Sequence, residues 1–172
     1  GVSQDNLDDI FTVNIHLQTP TPYTTVCYLQ GMESFLHEGL GYITLNGHVH
    51  VDAKSFLLDS PHAYKFRLAI NDCSLTTSTM DIPTFTESGG YTGQVEIEVL
   101  TLRSDLENPS SILRVPLSKY FPFIEVLRIT GYTDIQPGTL QGLTRLSMVS
   151  LILDHEPEDG IERIAAEITI RT

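Results

Sequence analysis

The string His48-Val49-His50-Val51-Asp52 is the part of this chain whose residue types and spacing come nearest to catalytic chemistry. On a strand, alternate side chains share a face, so the two imidazoles and the carboxylate would point the same way. Two histidines at i and i+2 can chelate a divalent ion, and the bound metal would activate water for hydrolysis. Such a centre needs further histidine and acidic ligands in supporting motifs. His62 and His155 stand alone, so the three residues read as structural or surface groups. Asp154, Glu156, Glu158 and Asp159, grouped around Pro157 and Gly160, lack the ordered donor spacing of a calcium loop and read as a solvated turn. There is no nucleophile elbow, phosphate-binding glycine loop, dinucleotide fingerprint or zinc-protease helix motif, and Ser88-Gly89-Gly90-Tyr91 reads as a flexible turn. The expectation is a non-catalytic protein with no cofactor and no metal.

Charge narrows the partners. The 172 residues carry 22 acidic and 10 basic side chains, a formal charge of -12. Nucleic acid is disfavoured, because phosphate neutralisation by Lys and Arg supplies most of that affinity. Anionic lipid is disfavoured for the same reason. No run approaches the roughly 20 apolar residues of a membrane span. A mean hydropathy of -0.01 and 41% hydrophobic residues describe an ordinary folded domain. The opening Gly1-Val2-Ser3-Gln4-Asp5 shows no leader pattern, and Gly1 in place of a Met reads as a processed terminus or a tag scar, compatible with a leader already removed. No N-x-S/T sequon occurs, since Asn108 is followed by Pro109.

The elements that must position any site come from short apolar runs. Phe11, Val13, Ile15 and Leu17 alternate as on a strand, and the Thr-Pro-Thr-Pro stretch at 19–22 ends it. A second strand is expected at 24–29 and an amphipathic turn around 32–37. Then Leu40-x-x-Ile43-x-Leu45 is followed 25 residues later by Leu68-x-Ile70. Further runs are 95–102, Ile124-x-x-Leu127-x-Ile129, Leu146-x-x-Val149-x-Leu151 (22 residues on) and Ile168-x-Ile170 (19 residues on). These intervals scatter around the roughly 20–29-residue period of one known repeat class. Leu68-Ala69-Ile70-Asn71-Asp72-Cys73-Ser74-Leu75 fits the second half of its template, with Cys73 at the Asn/Cys position.

On those residues the chain resembles leucine-rich-repeat proteins. Ile135-Gln136-Pro137-Gly138-Thr139-Leu140-Gln141-Gly142-Leu143 is similar to the convex half of such repeats in animal extracellular receptors, where a Pro-Gly turn leads into a short helix. The resemblance is to the N-terminal part of a receptor ectodomain of Toll-like or neuronal-adhesion type. It implies an α/β solenoid with a parallel concave sheet and short helices or turns on the convex side. It also implies an extracellular or cell-surface location and a role in recognition, as in cell adhesion or innate immunity. Residues 1–40 would be an N-terminal capping segment, and 41–172 about five to six irregular repeats with a long insert at 76–93. The insert matches no repeat, and no cysteine-rich C-terminal cap follows the last run. That end reads as part of a longer ectodomain or as one that a partner covers, and exposure there is compatible with a dimer. The alternative fold is an all-β sandwich with an adhesive or lectin-like role, which would be mainly antiparallel.

Phase then names a surface. Between the inward leucines, Tyr42, Thr44 and Asn46 point outward, as do Arg67, Ala69 and Asn71. Val126, Arg128 and Thr130 follow, then Met148 and Ser150. If Leu100 and Leu102 are the inward pair, Val99, Thr101 and Arg103 join them. If Ile97 and Val99 are inward, Glu96 and Glu98 take the face and Arg103 leaves it. Arg171 would extend the row. The ligand-binding candidates are thus Tyr42, Thr44, Asn46, Arg67, Asn71, Arg103, Arg128, Thr130, Met148 and Ser150. Four of the seven arginines (Arg67, Arg103, Arg128, Arg171) fall on this face, a basic strip suited to an acidic protein or glycan ligand, or else paired with the protein's own carboxylates. Cys27 and Cys73 allow at most one disulfide, and the register makes Cys73 a buried ladder position where a free thiol is at home.

Overall fold

Alternation of apolar and polar residues produces the long strands, which run in the same direction. The computed structural model describes residues 11–18, 26–37, 39–58, 60, 63–77, 95–104, 112–154, 157 and 160–171. The strands are β1 (Phe11–Leu17), β2 (Val26–Cys27), β3 (Leu40–Gly47), β4 (His50–Asp52), β5 (Tyr64–Asn71) and β6 (Ser74–Thr76), then β7 (Val95–Arg103), β8 (Ile112–Leu113), β9 (Val126–Thr130), β10 (Asp134–Ile135) and β11 (Met148–Ile152). Among the described residues four single turns of helix accompany them. Two are 3-10 turns, Met32–Phe35 and Ala53–Phe56. Two are α-helical, α1 (Leu117–Tyr120) and α2 (Ile161–Ala165).

The odd-numbered strands form one sheet in the order β1-β3-β5-β7-β9-β11, and β2-β4-β6 and β10-β8 form two smaller ones. Every pairing among the described strands is parallel, where the sandwich alternative expects antiparallel ladders. The arrangement is a parallel sheet backed by short strands and few helices.

Two apolar rows run straight across the six-stranded sheet. One is Val13, Ile43, Leu68, Leu100, Leu127 and Val149; the other is Ile15, Leu45, Ile70, Leu102, Ile129 and Leu151. On β3, β5, β7 and β9 these residues are buried, while on the edge strands β1 and β11 they are half-buried. Among the described residues each has a neighbour strand on one side only, which is why the core thins there. Val51, Leu75 and Leu113 from the short strands meet the rows, together with Met32, Phe56, Leu117, Phe121, Leu140, Leu143 and Ile164. The Phe56 and Phe121 rings lie 5.6 Å apart.

Backbone hydrogen bonds carry the ladder past the strand ends. The amides of Asp72, Ser104 and Gly131 each donate to the last carbonyl of the next strand, at Arg103, Thr130 and Ile152, over 2.8–2.9 Å. Asp72 takes a left-handed φ of 59° to make its corner, a conformation that aspartate tolerates better than most residues. Gly47 closes β3 against β1. A Cβ there would lie 2.5 Å from the Leu17 carbonyl oxygen, so no side chain fits.

Several expectations are corrected. The run at Ile168 and Ile170 is not a strand: α2 is followed by a turn and an extended tail, tied by the Arg171 amide donating to the Leu146 carbonyl. Arg171 therefore does not extend the sheet. The expected short helix within 135–143 is a series of turns, because Gly138 and Gly142 take left-handed φ values of 90° and 85° that end any helix. The second strand is shorter than 24–29 among the described residues, at Val26–Cys27. β1 stands where a strand is expected, at Phe11–Leu17, and is the first strand of the main sheet. The core of the 76–93 insert, with Ser88, lies outside the described residues, as do residues 1–10 and 19–25, His62, His155, Glu156, Glu158 and Asp159.

Candidate functional site on the outward sheet face

The side chains between the buried rows form three outward rows. The first is Thr12, Tyr42, Arg67, Val99, Val126 and Met148. The second is Asn14, Thr44, Ala69, Thr101, Arg128 and Ser150, and the third is His16, Asn46, Asn71, Arg103, Thr130 and Ile152. All ten residues singled out from the sequence therefore share this face, in register. Parallel in-register pairing does this: it keeps equivalent positions of successive strands side by side. Sequence reasoning missed Thr12, Asn14 and His16, although the alternation of Phe11, Val13, Ile15 and Leu17 already left them on the opposite side.

The rows are polar ladders in part. The Thr44 hydroxyl donates to Asn14 Oδ1, and Asn71 Nδ2 donates to Asn46 Oδ1 over 3.3 Å. The far edge is apolar, with Met148 and Ile152 47% and 60% exposed.

The register at 95–102 has a third solution. Phe66 pairs with Ile97 but Arg67 pairs with Val99, so Glu98 is an extra residue, a β-bulge. Before the bulge Ile97 points inward; after it Leu100 and Leu102 do. Arg103 thus stays on the face, and Glu98 reaches the charged groups there as well. Lys65 Nζ lies 4.0, 3.8 and 4.0 Å from carboxylate oxygens of Glu96, Glu98 and Glu125. Arg67 Nε lies 4.0 Å from Glu98, and Arg103 Nε 4.0 Å from Asp72. Glu96 also accepts a 3.1 Å hydrogen bond from Arg145, whose guanidinium sits 4.8 Å above the Phe123 ring centre. An uninterrupted basic strip is therefore corrected to a mixed-charge surface. Arg128 is exposed, with no carboxylate in ion-pair range among the described residues.

One end of the face is hollowed. An open depression of about 420 Å³ is lined by Thr12, Gly39, Leu40, Gly41, Tyr42, Lys65, Arg67 and Glu98. Its cause is visible in the pairing. The β3–β5 ladder begins only at Tyr42 and Arg67, so Leu40 and Gly41 have no ladder partner on β5. Gly41 is itself the extra residue between the Phe11–Leu40 and Thr12–Tyr42 pairs. Two bulges, at Gly41 and Glu98, thus flank the hollow.

The metal-like string is dismantled by a corner. His48 lies in the bend between β3 and β4 and is exposed, while His50 begins β4 and is half-buried. Asp52 is buried; its Oδ1 accepts from the Lys54 amide over 3.0 Å and caps the turn Ala53–Phe56. Three groups on one strand face do not form, because β3 ends at Gly47. No group of three His, Cys, Asp or Glu side chains suited to a metal occurs among the described residues.

Both cysteines are free thiols. Cys73 Sγ lies 3.3 Å from the carbonyls of Gly47 and Asn71. Burial pushes this thiol up to about 12, so it is a protonated packing group and not a nucleophile. The Tyr132 phenol is also held well above its ordinary range by burial. No helix of the described residues is long and apolar enough to cross a membrane. Comparison with protein-family models, curated proteins and solved structures finds no match to this chain.

Proposed function

We propose that the chain is a non-catalytic recognition module, an irregular leucine-rich-repeat solenoid that binds a protein or glycan ligand through its sheet face. The observation that carries this reading is the set of three straight outward rows across six parallel strands. A preformed sheet of that width offers side chains in fixed register, which lowers the ordering cost of binding. The parallel direction of every described pairing favours stacked repeats over the antiparallel sandwich. A buried, protonated Cys73 and a capping Asp52 favour binding over catalysis. The resemblance to receptor ectodomains supports an extracellular or cell-surface setting for the proposed work.

The test is a screen of extracellular proteins and glycans, followed by charge reversal on the hit. Arg128→Glu, at the exposed cation of the middle row, should weaken binding about tenfold or more. Lys119→Glu, on α1 away from the sheet face, should leave it unchanged. A ligand lost with Lys119→Glu but insensitive to Arg67, Arg103 and Arg128 substitutions refutes the assignment.

A further inference from the structure

The hollow at the first row has a chemistry of its own. Its volume, about 420 Å³, lies within the roughly 300–1,000 Å³ of small-ligand sites. It is not an apolar anchor pocket, since Leu40 is its one aliphatic residue and is already buried beneath the sheet. A protein hot spot needs a desolvated apolar slot, which is absent there. What converges instead is the half-buried Tyr42 ring, the Thr12 hydroxyl, the Glu98 carboxylate and two cations, Lys65 and Arg67. The side chains of Lys65 and Arg67 are 54% and 59% exposed, and among the described residues their nearest carboxylates stand 3.8–4.0 Å away. Those separations exceed hydrogen-bond length, so the donors remain available to a ligand.

We infer that this hollow is a subsite for an anionic sugar residue, a pyranose bearing a carboxylate or a sulfate. The inference rests on the reading of the sheet face as a binding surface. Tyr42 supplies a flat, amphipathic platform for the ring. Arg67, its direct cross-strand neighbour, presents a planar fork that matches a carboxylate or sulfate bidentately, and Lys65 adds a second donor. Glu98 accepts from ring hydroxyls, and its placement is the work of the bulge. Glu98, Glu96 and Glu125 all stand within 4.0 Å of Lys65, whereas Arg67 meets Glu98 alone, at 4.0 Å from its Nε, so the Arg67 fork is the group that favours an anionic sugar over its neutral counterpart. Bulges recur where a sheet re-aims side chains at a site, and two of them border this one.

The experiment is a backbone-amide NMR titration of the whole chain with three probes. These are an unsulfated uronate-containing tetrasaccharide, a sulfated tetrasaccharide and a neutral glucose tetrasaccharide. At least one anionic probe should give saturable shifts at Tyr42, Lys65 and Arg67, weakening at high salt, and the two anionic arms tell carboxylate from sulfate. Arg67→Gln should weaken that binding about tenfold, while Lys119→Gln, on α1 away from the sheet face, should not change it. The amide spectrum of each variant reports folding directly. Equal binding of the neutral probe, or full binding by Arg67→Gln, overturns the subsite. So does silence of the hollow toward all probes. If a screened ligand then shifts Thr101, Arg128 and Ser150, the broader reading survives alone; if no ligand shifts the outward rows, both fall.

Discussion

Replacing Glu167 should loosen the C-terminal segment, and the size of the loss follows from what its carboxylate holds. Both Glu167 oxygens accept from the Gly138 amide over 3.0 Å, and Oε1 also accepts from the Leu140 amide over 3.2 Å. These are charge-assisted bonds, each worth about 1.5–3 kcal/mol when kept from water. Leu140 is buried, so its amide would be left dry after truncation, whereas Gly138 is half-buried and can take water in exchange. Glu167→Ala should therefore cost about 2–3 kcal/mol, most of it at Leu140. Glu167→Gln keeps an oxygen at the position that serves both amides but loses the charge and turns the second acceptor at Gly138 into an NH2 donor, so about 1–2 kcal/mol is expected. Urea unfolding of the two variants gives the totals. Hydrogen exchange at the Gly138 and Leu140 amides gives the local effect, which should follow the order wild type, Gln, Ala. If Ala and Gln cost the same, or those amides keep full protection, the carboxylate is not what holds the turns.

Other outcomes follow from buried contacts. Cys73 is neutral in the fold up to about 12 but ionises from its ordinary 9.0 when unfolded, so its contribution is present below 9.0 and lost as pH rises through that window. Urea midpoints should fall on the alkaline side, and less steeply in Cys73→Ala. A thiol reagent at pH 8 should spare Cys73 in the native protein and modify both cysteines after denaturation. Gly47→Ala forces a Cβ to within 2.5 Å of the Leu17 carbonyl, and should cost about 1–3 kcal/mol and release the β1 amides to exchange. Leu100→Ala, in the middle of a fully buried row, should cost about 2–5 kcal/mol by denaturant melt, against about 1 for the half-buried Val149→Ala at the edge.

What the sequence determined by itself is the phase of the regularly alternating strands, β7 apart. Alternation is local: Ile43 and Leu45 inward put Tyr42, Thr44 and Asn46 outward whatever lies beside them, and the same holds for Arg67, Arg128 and Ser150. Tertiary structure decided everything that depends on a neighbour. The bulge at Glu98 arises from how β7 is paired against β5, so two incompatible registers of 95–102 are each right for half the strand. Ion pairing is likewise a property of adjacent strands, and it turned a basic strip into a surface where Lys65, Arg67 and Arg103 face carboxylates. Corners break local patterns: His48, His50 and Asp52 have strand spacing, yet Gly47 ends the strand before them. Ile168 and Ile170 alternate like a strand but follow α2 as a tail tied to Leu146. The hollow beside Tyr42 is the clearest case. No residue in it is unusual for a strand, and it exists because two ladders begin at different points along β3 and β5.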